Sequence, residues 1–233
     1  RRAATALPAP SAEAASYIDA LFAAGERLPV TERMPDSLGV FFRDSTRYLR
    51  SGTASIGCCT LHGRIVLAAD ELRIDSTCRI ERPIIVARKI TVGSGARLTA
   101  QLFARDTLVV EPRAVLNYPS GIYAGRYAEL GNRATVDGYV IVRDTARRKN
   151  PTASYRQSRT SRVRGLLYVD GNAHVQGIVS GRTILRQAVY TSPQGCYISM
   201  LYDLTLLENT ATAQPLWLAG YDTLRRKEVV CVE

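Results

Sequence analysis

Two apolar residues at positions i and i+2, followed by a third at i+8, recur down the middle of this chain, and no other feature constrains its fold as strongly. Leu72, Ile74 and Ile80 make the first set, then Ile90, Val92 and Leu98, then Leu108, Val110 and Leu116, then Ala128, Leu130 and Val136. Leu167, Val169 and Val175 fit the same template further on. The first members are separated by three steps of about 18 to 20 residues and then by one of about twice that length. The long last step predicts one further coil plus an insertion of about a coil's length. A second apolar set follows each pattern: Ile84 to Val86, Leu102 to Ala104, Ile122 to Ala124, Val140 to Val142, and Ile178 with Val179. Gly93-Ser94-Gly95, Pro112, Pro119-Ser120-Gly121, Gly131-Asn132, Gly138 and Gly171-Asn172 separate the segments as turns.

The i, i+2 spacing is the period of a strand and puts both side chains on one face, whereas on a helix they would diverge by about 200°. Segments this short are not stable alone. Stacked at about 4.8 Å per coil, like segments pair, and their inward side chains form continuous columns. A helical solenoid would need a longer repeat, because a pair of packed helices does not fit in a coil of this length. The predicted class is therefore all-β: a right-handed, single-stranded parallel β-helix over residues 51–189, right-handed by the usual crossover preference. Residues 1–50 are expected to hold a helix that caps one open end of the solenoid, and a connecting arm. Ser11 would cap the helix, Gly25 would follow its end near Ala24, and Ala14, Ile18, Leu21 and Phe22 would share one face. Residues 190–233, with Tyr197, Tyr202, Leu204, Leu206, Leu207, Leu216, Trp217 and Leu218, are expected to cap the other end, since open solenoid ends invite edge-to-edge assembly.

Composition narrows the function classes. With 233 residues and 46% hydrophobic content the chain can bury a core, and its 7% aromatic content with a single Trp suits a narrow repetitive one. The net charge of +10 points to an anionic partner without choosing among acidic glycan, lipid phosphate and nucleic acid. No stretch approaches the ~20 apolar residues of a membrane span, and no signal-peptide core is visible. The five cysteines are Cys58, Cys59, Cys78, Cys196 and Cys231, with no zinc-type spacing, and His62 and His174 are the two histidines. No metal site and no cofactor is predicted. Gly93-Ser94-Gly95 lacks the Lys-Ser/Thr of a phosphate loop.

Aligned on its repeat, the chain resembles the bactofilin, or polymer-forming, type of β-helix. Three segments, Gln101-Leu-Phe-Ala-Arg-Asp106, Leu116-Asn-Tyr-Pro-Ser-Gly-Ile122 and the stretch from Val163 to Gly181, resemble a group of uncharacterised Bacteroidetes envelope proteins over roughly residues 55–233. The long insertion and the carboxy-terminal segment depart from the bactofilin pattern. The resemblance implies an exported envelope protein held by an amino-terminal membrane helix that this sequence lacks. It carries no catalytic residues to transfer.

Arg143, Arg147, Arg148, Lys149, Arg156, Arg159, Arg162 and Arg164 fall within the expected insertion, residues 143–164, against one acid, Asp144. They form a candidate anion-binding loop for acidic glycan or another envelope component. A solvated, exposed insertion is the plainer alternative. Nucleic acid fits poorly because Tyr155 is the loop's one aromatic. Cys59 and Cys78 lie about one coil apart, so they should stack within disulfide reach, with Cys58 on the opposite side; two buried free thiols are the alternative. Ser120 sits in a turn, without a nucleophile-elbow frame. Asp70, Glu71, Asp75, Glu81, Asp106 and Glu111 are the carboxylates that a polysaccharide lyase or hydrolase would draw on, but nothing in their spacing makes any two converge. The expectation is a non-catalytic envelope structural or adhesin-like protein, with a polysaccharide-active enzyme as the alternative.

Overall fold

The structure, a computed structural model, describes residues 7, 8, 11–32, 34–41, 43–144 and 152–208. In chain order, helix α1 (Ala12–Arg27) precedes strands β1 (Val30–Thr31), β2 (Ser37–Val40), β3 (Arg47–Ser51), β4 (Ser55–Ile56), β5 (Thr60–Gly63), β6 (Ile65–Ile74), β7 (Arg79–Val92) and β8 (Arg97–Val110). Then come β9 (Val115–Ala124), β10 (Tyr127–Leu130), β11 (Thr135–Val142), β12 (Tyr155–Gln157), β13 (Arg162–His174), β14 (Gly177–Ser192), β15 (Gly195–Ile198) and β16 (Leu204–Leu207). Among the described residues every strand pairing is parallel except that of β14 with β15. The chain is a β-solenoid of about eight turns, as the repeat predicts.

Each coil has three faces. On the first, Ile56, Ile74, Val92, Val110 and Leu130 stack in one inward column and Leu72, Ile90, Leu108 and Ala128 in the next. On the second, Leu61, Ile80, Leu98, Leu116 and Val136 stack. All of these side chains are buried. The i, i+2, i+8 template thus places two residues on one wall and the third on the next, past a tight corner. At that corner Cys78, Ala96, Ala114, Ala134 and Ser161 are small and buried, because the backbone turns too sharply to admit more. The corner into the third face demands even less bulk. A Cβ at Gly138 would lie 1.8 Å from the Ser120 carbonyl oxygen, and Gly138, Gly165 and Gly181 have φ of +143°, +131° and +133°.

The chain departs from the predicted register in two places. Ala128, Leu130 and Val136 pair with Tyr155, Gln157 and Val163, not with the set beginning at Leu167. Leu167 and Val169 pair with Val140 and Val142 on the third face, and Val179 stacks under Val163 while Ile178 turns outward beside Arg162. The single long step is therefore replaced by two, one from Ala128 to Tyr155 and one from Tyr155 to Ala173. Residues 152–164 are not an exposed insertion. They supply a rung: Tyr155 is 0% exposed, Gln157 2% and Val163 0%. The buried amide is satisfied, since Tyr155 donates to Gln157 Oε1 at 2.9 Å and Gln157 Nε2 donates to the Ile178 carbonyl at 3.2 Å.

The second departure is a slip of one residue. Ile85, not Ile84, joins the inward column of the third face with Leu67, Leu102, Ile122, Val140 and Leu167, and Ala87, not Val86, joins the next one with Ala69, Ala104 and Ala124. Ile84 and Val86 face outward, where α1 covers them. Ser11 caps α1 by accepting from Ala14 N at 3.1 Å, and Ile18, Leu21 and Phe22 are buried against Val66, Val86, Phe103, Ile141 and Leu166. A helix of 16 residues is about 24 Å long, the height of five stacked coils. Accordingly α1 lies along the solenoid wall and does not cap its end. The Tyr168 hydroxyl, from a late coil, reaches the Pro8 carbonyl at 3.0 Å. Gly25, expected just beyond the helix, is inside it, where a Cβ would come within 2.9 Å of that of Ala68 in an early coil.

Residues 26–50, expected as an arm, contribute rungs of their own: β1 stacks on β3, β2 on β5 and β3 on β6. At the other end β16 adds a parallel rung to β14 and β15 folds back on it antiparallel. Tyr197, Tyr202, Leu206 and Leu207 of this expected cap are about half exposed, and Leu216, Trp217 and Leu218 lie outside the described residues.

Three substitutions and one deletion test this register. Ile85→Ala should cost about 2–5 kcal/mol in chemical denaturation, because it opens a cavity in a column that cannot collapse, and Ile84→Ala should cost clearly less. Val110→Asp should abolish the cooperative transition by burying an unpaired charge. Deleting residues 152–164 should unfold the protein, where a true insertion would be dispensable; a deletion variant with an unchanged melting curve would contradict the observed pairing of β12 and β13.

Candidate functional site

Once residues 152–164 are threaded through the solenoid, the described members of the expected basic loop are dispersed. Arg143 is half-buried on the third face, near Tyr123. Arg156 points out of the first face, between the inward Tyr155 and Gln157. Arg159 sits at the corner between the first and second faces and pairs with Asp203. Arg162 and Arg164 point out of the second face, and Arg164 Nε meets Asp137 Oδ1 at 2.7 Å. Arg147, Arg148 and Lys149 lie outside the described residues. A run of cations in sequence becomes separate residues in space, because strand alternation and corners send near neighbours in different directions.

A different basic group assembles in its place. The corner repeats as Gly93-Ser94-Gly95-Ala96, Glu111-Pro112-Arg113-Ala114 and Gly131-Asn132-Arg133-Ala134. Gly95, Arg113 and Arg133 occupy equivalent positions with φ of +72°, +63° and +59°. The coils are tied there by Arg113 N–H to the Asn132 carbonyl at 2.9 Å and by Arg133 N–H to Thr160 Oγ1 at 2.9 Å. Arg159 continues the corner one coil later. Beside it on the second face, one outward column runs Arg79, Arg97, Val115, Thr135, Arg162. Arg79, Arg97, Arg113, Arg133 and Arg162 are exposed and have no ion-pair partner among the described residues. The corner encloses a groove of about 910 Å³ lined by Arg113, Asn132, Arg133, Arg159, Thr160 and Gln176, among others.

This arrangement is costly to build. A left-handed backbone disfavours any side chain by about 1–2 kcal/mol, and glycine avoids that cost at Gly95. Like charges about 5 Å apart on neighbouring rungs also repel. A surface with these properties can hold a row of anionic groups at the spacing of the coils, with Asn132, Thr160 and Gln176 offering donors and acceptors for hydroxyls. The sequence signal for it was the tetrapeptide repeat, with Arg replacing Gly at the third position.

Cys59 and Cys78 face each other inside the corner as two buried free thiols, Sγ to Sγ 3.1 Å, stacked as expected but not bonded, while Cys58 is exposed. Ser120 is buried and serves its turn, donating to the Asn117 carbonyl and accepting from Ala100 N at 3.2 Å. The carboxylates considered as catalytic groups are largely bound to cations. Asp70 and Glu71 share Arg88, with Lys89 2.9 Å from Glu71; Glu111 takes a two-pronged bond from Arg73 at 2.5 and 2.7 Å; Glu81 meets His62 at 3.0 Å. Hydrogen bonds from these cations hold Asp70, Glu71 and Glu111 below the usual carboxylate range, the reverse of what a general acid needs. No group of three or more metal-ligating side chains forms among the described residues. Compared with known proteins, the chain matches no family model, no curated protein and no solved structure.

The Arg73–Glu111 pair spans two coils and should make stability pH-dependent. A carboxyl whose pKa is depressed by folding contributes stability above its unfolded value of about 4.3, and that contribution is lost as pH falls through the folded value. Glu111→Gln should therefore lower unfolding free energy at neutral pH by roughly 0.5–1 kcal/mol, and the difference from wild type should vanish in acid. Urea titrations at several pH values measure it.

Proposed function

We propose that this chain is a non-catalytic cell-envelope scaffold that holds an acidic glycan along the basic corner of its solenoid. The observation that carries this reading is the set of five arginines without an ion-pair partner among the described residues, Arg79, Arg97, Arg113, Arg133 and Arg162, stepped along one corner and the adjoining face at the coil repeat. Guanidinium groups in a row suit carboxylates or sulfates on an extended polymer, and the net charge of +10 adds a long-range attraction. The groove lining is Arg, Asn, Ser, Thr, Gln, Asp and Pro, with no ring for a base to stack on, which favours glycan over nucleic acid. Carboxylates engaged with cations favour binding over glycan cleavage. Envelope placement is supported by the resemblance of the coil segments to exported envelope proteins.

Titration with a polyuronate, a sulfated glycan and a neutral glycan tests the reading. The acidic polymers should bind and the neutral one should not, and affinity should fall steeply between low and high salt. Arg113→Gln, Arg133→Gln and Arg162→Gln combined should weaken binding by about tenfold or more, with unchanged melting. Salt-independent binding, or new reducing or unsaturated ends on the glycan, would refute it.

A further inference from the structure

The amino-terminal coils are the thinnest part of the solenoid. β4 gives two residues to the first face and β5 four to the second, whereas β7 and β8 each run for 14. Short strands make few ladder hydrogen bonds, and coils near an end have less structure stacked beyond them. This end should therefore open most readily. Cys59 and Cys78 lie across it. Thr60 pairs with Arg79, so the residues before them occupy the same corner of successive coils. The two thiols are 4% and 5% exposed. Later coils fill this position with Ala96, Ala114, Ala134 and Ser161, so the fold requires only a small buried side chain there. Two sulfurs in adjacent coils are more than packing demands.

The local geometry selects the pair. Cys58 is exposed with φ of +52°, and its N–H is held by Thr77 Oγ1 at 2.9 Å, which keeps it out of the corner. The hydrogen bond from Cys59 lowers the Cys78 thiol, against the effect of burial, which raises it. Cys59 is shifted upward by the same bond.

We infer that Cys59 and Cys78 are a redox site whose oxidation cross-links the first two full coils and locks the amino-terminal end of the solenoid. The oxidant is a low-molecular-weight disulfide. Cys78 thiolate attacks one of its sulfurs, forming a mixed disulfide and expelling one thiolate. Cys59 loses its proton and attacks the Cys78 sulfur, and the second thiolate leaves. Two protein thiols give up two protons and two electrons, and the external disulfide becomes two thiols. The sulfurs need approach by only about 1 Å to reach bonding distance. The link closes a short loop and removes the open states in which β4 and β5 separate from β6 and β7.

The full chain is equilibrated in glutathione buffers from reducing to oxidising, alkylated, and mapped by peptide mass spectrometry, with amide hydrogen exchange on the same samples. The expected result is a Cys59–Cys78 link with Cys58 and Cys196 alkylated, and exchange across residues 55–63 slowed by tenfold or more in the oxidised form. Cys59→Ala with Cys78→Ala, which copies the alanines of later coils, should exchange like the reduced protein in every buffer. Alkylation of both thiols under oxidising conditions, a link made through Cys58, or equal exchange in linked and reduced protein would each overturn the inference. Should the double variant fail to fold, Cys59→Ala alone keeps the test: it should abolish the link and the protection together.

Discussion

Every rung of this protein sits about 4.8 Å from the next, and that fixed spacing governs what each side chain can be. An inward residue meets its equivalents above and below, so neighbouring bulks must fit together, as where Tyr155 stacks between the small Ala128 and Ala173. Ile, Leu and Val fill the walls, while Ala, Cys and Ser fill the first corner. At the corner into the third face the backbones approach so closely that Gly138, Gly165 and Gly181 admit no Cβ. Tyr155 and Gln157 are the exception, a polar rung in an apolar stack. It is accommodated because each polar atom that enters the core finds a partner within its own coil or the next.

The same spacing explains how α1 is used. Its 16 residues match the height of five coils, so one apolar helical stripe can cover the middle coils of one wall. The third face then becomes buried on both sides, and its outward positions carry Phe103, Ile141, Leu166 and Tyr168. The other outer surfaces keep polar and charged residues, some in ion pairs that bridge coils. The Arg73–Glu111 pair and the Arg88 cluster stabilise stacking from outside, where each contact is worth little alone.

At the basic corner the coil repeat spaces charges in place of packing atoms. A solenoid turns one residue choice, Arg in place of Gly at the third corner position, into a row of cations by repetition. The neighbouring column extends it through Arg97 and Arg162. Inside that same corner, the position that is Ala in middle coils is Cys in the first two, so a single element of the repeat serves packing, ligand contact and cross-linking at different heights.

The sequence alone determined the strand period, the coil length and the inward residues of the first two faces from Leu72 to Val136, because inward and outward positions there differ sharply in polarity. It also determined the Cys59–Cys78 stacking, which follows from coil length, and the cap and apolar stripe of α1, which are local. Only the tertiary structure decided the rest. The rung at Tyr155 and Gln157 was hidden because a buried glutamine does not look like a core residue until its partners are in place, and the coil was therefore mistaken for an insertion. Ile84 and Ile85 could not be told apart because α1 covers the outer side of that wall, and a strand buried on both sides loses its alternation. Where α1 lies was equally unreadable, since an apolar stripe does not name its partner. The basic corner gathers Arg97, Arg113, Arg133 and Arg162 from four separate coils, while Arg143, Arg156 and Arg164 of the basic run point elsewhere, because closeness in a solenoid is set by coil register and not by distance in sequence.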